Sequence, residues 1–116
     1  MSDPNPDPHG PPLWGEGPST SLAEIRAEID RIDAALVTLL AERTRFTREA
    51  GRFKASLAQV TAPARIDDVI AKVLTRAAAA GLPASIAEPV WRTLITTATE
   101  DQRQLFLAHA PDHLKR

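Results

Sequence analysis

From Ser19 to Ala50 the chain carries neither glycine nor proline, and most of the large apolar residues of that stretch fall on one seam. Leu22, Ile25, Ile29, Ile32, Leu36, Leu39, Arg43, Phe46, Ala50 and Phe53 follow one another at alternating spacings of three and four, the periodicity of a helix packed against another helix. Ser19, Thr20 or Ser21 can cap its start, and Glu24 stands three residues after Ser21 as in a capping box. The pattern predicts one helix from residue 22 to about residue 55, with Gly51 inside it, roughly 50 Å long at 1.5 Å per residue. A rod of that length needs a partner along its whole seam. With only two shorter helices left to cover it, the economical assembly is a two-fold dimer in which the long helices pair and the shorter ones wrap around them.

The flanking segments read differently. The first eighteen residues hold six of the ten prolines and three of the five glycines, so residues 1–20 are expected to be a disordered tail with Trp14 as its one large apolar side chain. The segment Leu57 to Pro63 breaks the seam. Ile66, Val69, Ile70, Val73, Leu74 and Ala77 then mark a second helix that ends at Gly81, ahead of Pro83. Ser85, with Glu88 three residues on, is expected to open a third helix along Ile86, Val90, Leu94, Ile95, Ala98, Gln102, Leu105 and Phe106, with Pro89 in its first turn. Ala110-Pro111 should stop it. The expected organisation is a helical domain over residues 21–108 and a frayed tail over 109–116, all-α, with one long and two shorter helices in an intertwined homodimer.

Composition removes several function classes. Fourteen basic residues against fifteen acidic ones, without a basic block, argue against nucleic acid or an anionic membrane as partner. No cysteine means no disulfide, no thiolate nucleophile and no Cys-bound zinc. No apolar run approaches the length of a bilayer span, and no signal peptide is apparent, so the cytoplasm is the expected location. His9, His109 and His113 lack metal-ligand spacing, and no metal site is expected. A serine triad, a glycine-rich phosphate loop and an isolated carboxylate pair are all missing.

Two seam positions are wrong for a simple core. Arg43 stands between Leu39 and Phe46, and Gln102 between Ala98 and Leu105. Either could be a register device or, for the arginine, a snorkelling surface cation. Lys54 lies eleven residues after Arg43, about three turns and roughly 16 Å along the axis, so both point to nearly the same side. Arg26 shares that general face but sits about 25 Å from Arg43, too far for one shared site within a chain. An antiparallel partner would bring it back. The candidate site is therefore Arg43, Lys54 and Gln102 from one subunit with Arg26 from the other, and its cations would select carboxylates. Arg65 either reaches the ligand from the loop side or is a solvated helix-end arginine, and Asp67 and Asp68 are explained by the helix dipole.

The segment LAEIRAEIDRIDAALVTLLAER, followed by RFKAS, resembles the all-α chorismate mutase family of intertwined three-helix dimers, over residues 21 to about 106. RFKAS, Ala62-Pro63-x-Arg65 and Gly81-Leu82 resemble its isochorismate pyruvate-lyase branch, which serves salicylate biosynthesis. The resemblance implies that Arg26 is the arginine donated from the opposite subunit and that Arg43 grips a substrate carboxylate. It further implies that Lys54 reaches a carboxylate and the ether oxygen, and that Gln102 hydrogen-bonds the same ether oxygen. One departure stands out: the mutases' Asp-x-x-Arg-Glu-like segment, whose glutamate holds the ring hydroxyl, is replaced here by Arg65-Ile66-Asp67-Asp68-Val69-Ile70.

The chemistry implied needs no cofactor. In the rearrangement of chorismate to prephenate, cations hold both carboxylates with the enolpyruvyl chain folded over the ring, while donors stabilise charge on the departing ether oxygen. The expected activity is chorismate mutase, the family's shared reaction. The same site suits an isochorismate pyruvate-lyase that makes salicylate and pyruvate. A non-catalytic dimer that binds a metabolite or a partner chain is the third reading.

Overall fold

The computed structural model describes residues 18 and 20–114, so the expected tail over residues 1–20 lies outside it except at Pro18 and Thr20. Four α-helices follow in order: α1 (Leu22–Gly51), α2 (Leu57–Val60), α3 (Pro63–Ala80) and α4 (Ala84–His109). A 3₁₀ turn at Asp112–Leu114 comes after them, in the segment expected to fray. The described residues include no strand, and no helix among them is long and apolar enough to cross a membrane. The chain divides into two units at Leu40 and Ala41, and each is described by itself.

The first unit is the N-terminal part of α1. Ser21 Oγ accepts from the Glu24 main-chain N–H at 3.1 Å, while the Glu24 carboxylate accepts from Thr20 at both N (2.7 Å) and Oγ1 (3.1 Å). The capping box thus closes one residue earlier than the Ser21–Glu24 spacing implied. The expected seam is present but uncovered: Leu22, Ile25, Ile29, Ile32, Leu36 and Leu39 keep between 38% and 59% of their surface exposed. Arg26 is exposed on the same helix.

The second unit has the core. α1 ends at Gly51, earlier than the expected residue 55, because its hydrogen bonding tightens from i→i−4 to i→i−3. Arg52, Phe53 and Lys54 donate to Glu49, Ala50 and Gly51 at 3.1, 3.1 and 3.2 Å. The break expected from Leu57 onward is in fact the short helix α2. Ser56 Oγ accepts from Gln59 N at 3.3 Å and Gln59 Oε1 accepts from Ala55 N at 2.7 Å, a Ser-x-x-Gln capping pair. Pro63 then opens α3 at its first position, where a missing N–H is harmless, three residues ahead of Ile66.

Gly81 closes α3 as expected, at φ 76°, the left-handed conformation that favours glycine, and Leu82 N reaches back to Ala77 O at 2.8 Å. The opening of α4 differs from expectation: Pro83 occupies the N-cap position with no side-chain cap, and Glu88 pairs instead with Arg92 at 3.3 Å. This earlier start leaves Pro89 inside the helix, past the first turn. The buried face of its first turns also differs from the expected stripe, because of how α4 packs on α3. Ala87, fully buried, and Trp91 meet α3, whereas Ile86 and Val90 point outward. Val73 and Ala77 of α3 close against Ala87, and these short side chains let the two helices approach closely. Val60, Ile70, Ile95 and Phe106 complete the buried apolar set.

Candidate active site

The second unit contains a cavity of about 180 Å³ built from all of its helices. Its polar lining is Arg43 and Thr47 from α1, Lys54 from the turn after it, Arg65 from α3, and Thr99 and Gln102 from α4. Val60, Ile66, Val69, Ile95 and Ala98 supply apolar wall. No carboxylate lines it. Asp67 and Asp68 face elsewhere, so the substitution of the Arg65–Ile70 segment leaves aliphatic side chains, Ile66 and Val69, on this wall. A lining of three basic side chains, one of them already paired with Asp68, one amide and no carboxylate is chemically suited to an anion, with the amide as a neutral donor.

Lys54, Gln102 and Arg65 are each held by a hydrogen bond. Lys54 Nζ donates to the Gln59 carbonyl at 3.0 Å, which ties the ammonium to α2. The Gln102 amide donates through Nε2 to the Thr47 carbonyl. That assigns the amide orientation, because the oxygen cannot face another carbonyl. The second N–H of Nε2 has no assigned acceptor in that bond. Arg65 is exposed and donates to Asp68 Oδ2 at 2.9 Å, with Lys72 on the same oxygen at 3.1 Å. Lys72 first, and then Arg65, hold the Asp68 carboxyl below its ordinary value. Arg48 and Asp101 form a two-point ion pair between α1 and α4, with Nε–Oδ2 and Nη2–Oδ1 both 2.9 Å. Arg48 lowers the Asp101 pKa, and Asp101 raises that of Arg48, through this hydrogen-bonded pair.

Four of the five residues singled out from sequence, Arg43, Lys54, Arg65 and Gln102, therefore share one cavity. Arg26 belongs to the other unit and is not among its lining residues. Arg65, left open between ligand contact and solvated helix end, has both characters: it lines the cavity and is exposed. Sequence reasoning missed Thr47 and Gln59, whose carbonyls hold Gln102 and Lys54. Thr47 was within reach, since it stands four residues after Arg43 on the same face of α1. Gln59 was marked by its capping spacing from Ser56. A carbonyl acceptor, however, leaves no side-chain signature.

A larger cavity of about 420 Å³ shares Lys54 and Gln102 and continues along Leu105, Phe106, Pro111 and Leu114. It lacks Arg43 and Arg65; its own arginines, Arg48 and Arg52, are already paired with Asp101 and Glu49, and the C-terminal ends of α1 and α4, which disfavour an anion, lie on it at Gly51 and His109. The smaller cavity is the better seat for a dicarboxylate.

Comparison with known proteins agrees with the geometry. A family profile described as chorismate mutase type II matches residues 25–103. An isochorismate pyruvate lyase of Pseudomonas aeruginosa is 38% identical over 76 residues, which cover 66% of this chain and 75% of that protein. The seam of α1, the cationic cavity that closes against α4 and the extent of these matches lead to one assignment: the chain belongs to the chorismate mutase type II family.

Proposed function

We propose that this chain is a cofactor-independent pericyclic enzyme acting on a chorismate-type dicarboxylate, and that its reaction is the elimination of pyruvate from isochorismate to give salicylate. The observation that carries the proposal is the lining of the smaller cavity: Arg43, Lys54, Arg65 and Gln102 with no carboxylate. Such a set binds two carboxylates and donates to an ether oxygen, and it offers no side chain suited to a general base. The Pseudomonas aeruginosa relative named isochorismate pyruvate lyase favours elimination over rearrangement. So does the aliphatic wall where a mutase needs an acid for the ring hydroxyl. Chorismate to prephenate is the second reading, supported by the family assignment.

The working enzyme is proposed to be a homodimer. The apolar seam of the first unit, open along its length, fits a second copy, and Arg26 on that helix would enter the partner's cavity. Arg26 and Arg43 would then clamp the two carboxylates with the enolpyruvyl chain folded against the ring, converting conformational freedom into a reactive geometry. Lys54 and the free N–H of Gln102 would donate to the ether oxygen as its bond to the ring lengthens. In the elimination, that C–O bond breaks while a ring hydrogen passes to the methylene carbon of the side chain. The side chain leaves as pyruvate and the ring becomes aromatic. Electrostatic stabilisation of the departing oxygen is strongest in the transition state, so it acts on kcat.

Lys54→Ala tests this assignment. Loss of turnover in a dimer that melts close to wild type supports it; unchanged turnover on both isochorismate and chorismate sinks it. Binding of either substrate by calorimetry with no product from wild type would favour a non-catalytic dimer instead.

A further inference from the structure

We infer that the Arg48–Asp101 ion pair is the positioning element for Gln102, fixing the register of α4 against the end of α1. The inference rests on the reading of Gln102 as the ether-oxygen donor. The six other ion pairs described, such as Arg31–Glu28 and Arg92–Glu88, join residues three or four apart along one stretch of chain and hold no two elements together. Arg48–Asp101 spans 53 positions and joins α1 to α4. Its two parallel bonds of 2.9 Å define an angle as well as a distance, which a single contact cannot.

Its placement is specific to the site. Arg48 directly follows Thr47, whose carbonyl accepts from Gln102, and Asp101 directly precedes Gln102. The ion pair and the amide–carbonyl bond are therefore adjacent rungs between the same two helices, about 100° apart around each axis. Together they fix both the approach of α4 and its rotation. Beside them, Gly51 faces the stem of Gln102: a Cβ there would stand 3.7 Å from Gln102 Cγ, in ordinary van der Waals contact, so the glutamine stem runs alongside the end of α1. Removal of the fork leaves the amide on a single hydrogen bond. Neither partner lines the smaller cavity, which Gln102 does, whereas Arg48 lines the larger one beside it, so the pair acts on the smaller cavity through Gln102.

Arg48→Met and Asp101→Asn test the inference, together with the charge-swapped double variant Arg48→Asp/Asp101→Arg. Both partners are partly exposed, so melting should stay near wild type. Misplacement of a transition-state donor should lower kcat about 10- to 100-fold while KM, set by the carboxylate clamp of Arg26 and Arg43, changes little. The double variant should recover part of the lost kcat. A second readout does not need turnover: the Gln102 side-chain amide, identified in ¹H–¹⁵N spectra by its loss in Gln102→Ala, should exchange slowly with solvent in wild type and rapidly in Asp101→Asn. Wild-type kcat in both single variants, or a Gln102 amide whose exchange ignores Asp101→Asn, overturns the inference. If wild type converts neither substrate, the functional reading fails, and the exchange measurement still decides whether the pair positions Gln102.

Discussion

Gln102 Nε2 donates to the carbonyl of Thr47, one turn beyond Arg43 on the same helix. This bond uses one of the two amide hydrogens and aims the other, so a neutral side chain acts as a fixed donor at every pH near neutrality. Gln102→Glu should remove the donor and place a carboxylate among groups arranged for an anion. Turnover at neutral pH should fall about 10²–10³-fold, the usual effect of losing one preorganised donor. It should rise again as the pH is lowered and the new carboxyl protonates. A pH–rate profile checks both parts; a flat profile would contradict the donor role.

Arg26 and Arg43 lie in different units of the chain, and the proposed site takes one from each subunit. Arg26→Ala and Arg43→Ala should each be inactive alone. Mixed and refolded together at equal amounts, they should regain about a quarter of wild-type activity, since half of the dimers are mixed and each mixed dimer has one intact site. No recovery would place both arginines in one chain's site.

Asp101 and Asp68 both have depressed pKa values, caused first by hydrogen bonds from Arg48 and Lys72 respectively. A carboxyl with a lower pKa in the folded state releases its proton more readily there, so the unfolded chain binds more protons between the two values. Their contribution to stability is complete above the ordinary Asp value of about 3.9 and is lost as the pH falls through the folded value. Denaturant midpoints measured from pH 7 downward should fall less steeply in Asp101→Asn than in wild type.

Ala87 has no exposed surface where α3 meets α4. Ala87→Leu should cost about 1–3 kcal/mol by overpacking this contact. Ile86→Ala, on the exposed side of the same turn, should cost far less. Urea unfolding of the two variants distinguishes this register of α4 from the one anchored on Ile86 and Val90.

The long helix, the glycine stop at Gly81 and the shared face of Arg43 and Lys54 were legible because each depends on spacing along one chain segment; that Gln102 joins them was implied by the family resemblance, and Arg65 was left open. A charge or amide on an apolar seam is conspicuous in sequence. The start of α4 was not legible: Ser85 and Glu88 have capping spacing, but Pro83 already has the extended conformation of an N-cap and starts the helix first. Nor was the face of its first turns that meets α3, Ala87 and Trp91 in place of Ile86 and Val90, since that depends on how the two helices pack. The Arg48–Asp101 fork was also out of reach, since a pair 53 positions apart depends on how α1 and α4 meet. The hydroxyl-holding carboxylate, missing from the sequence motif, is missing from the cavity wall as well.

The proposed reaction, elimination of pyruvate from isochorismate in this cavity without a cofactor, is open to direct test. Purified protein should be incubated separately with isochorismate and chorismate, and the products separated by chromatography. Isochorismate should give salicylate and pyruvate in equal amounts, and neither with Lys54→Ala. Prephenate from chorismate with isochorismate untouched would contradict the elimination and leave the mutase reading in its place; loss of neither substrate would contradict the enzyme altogether.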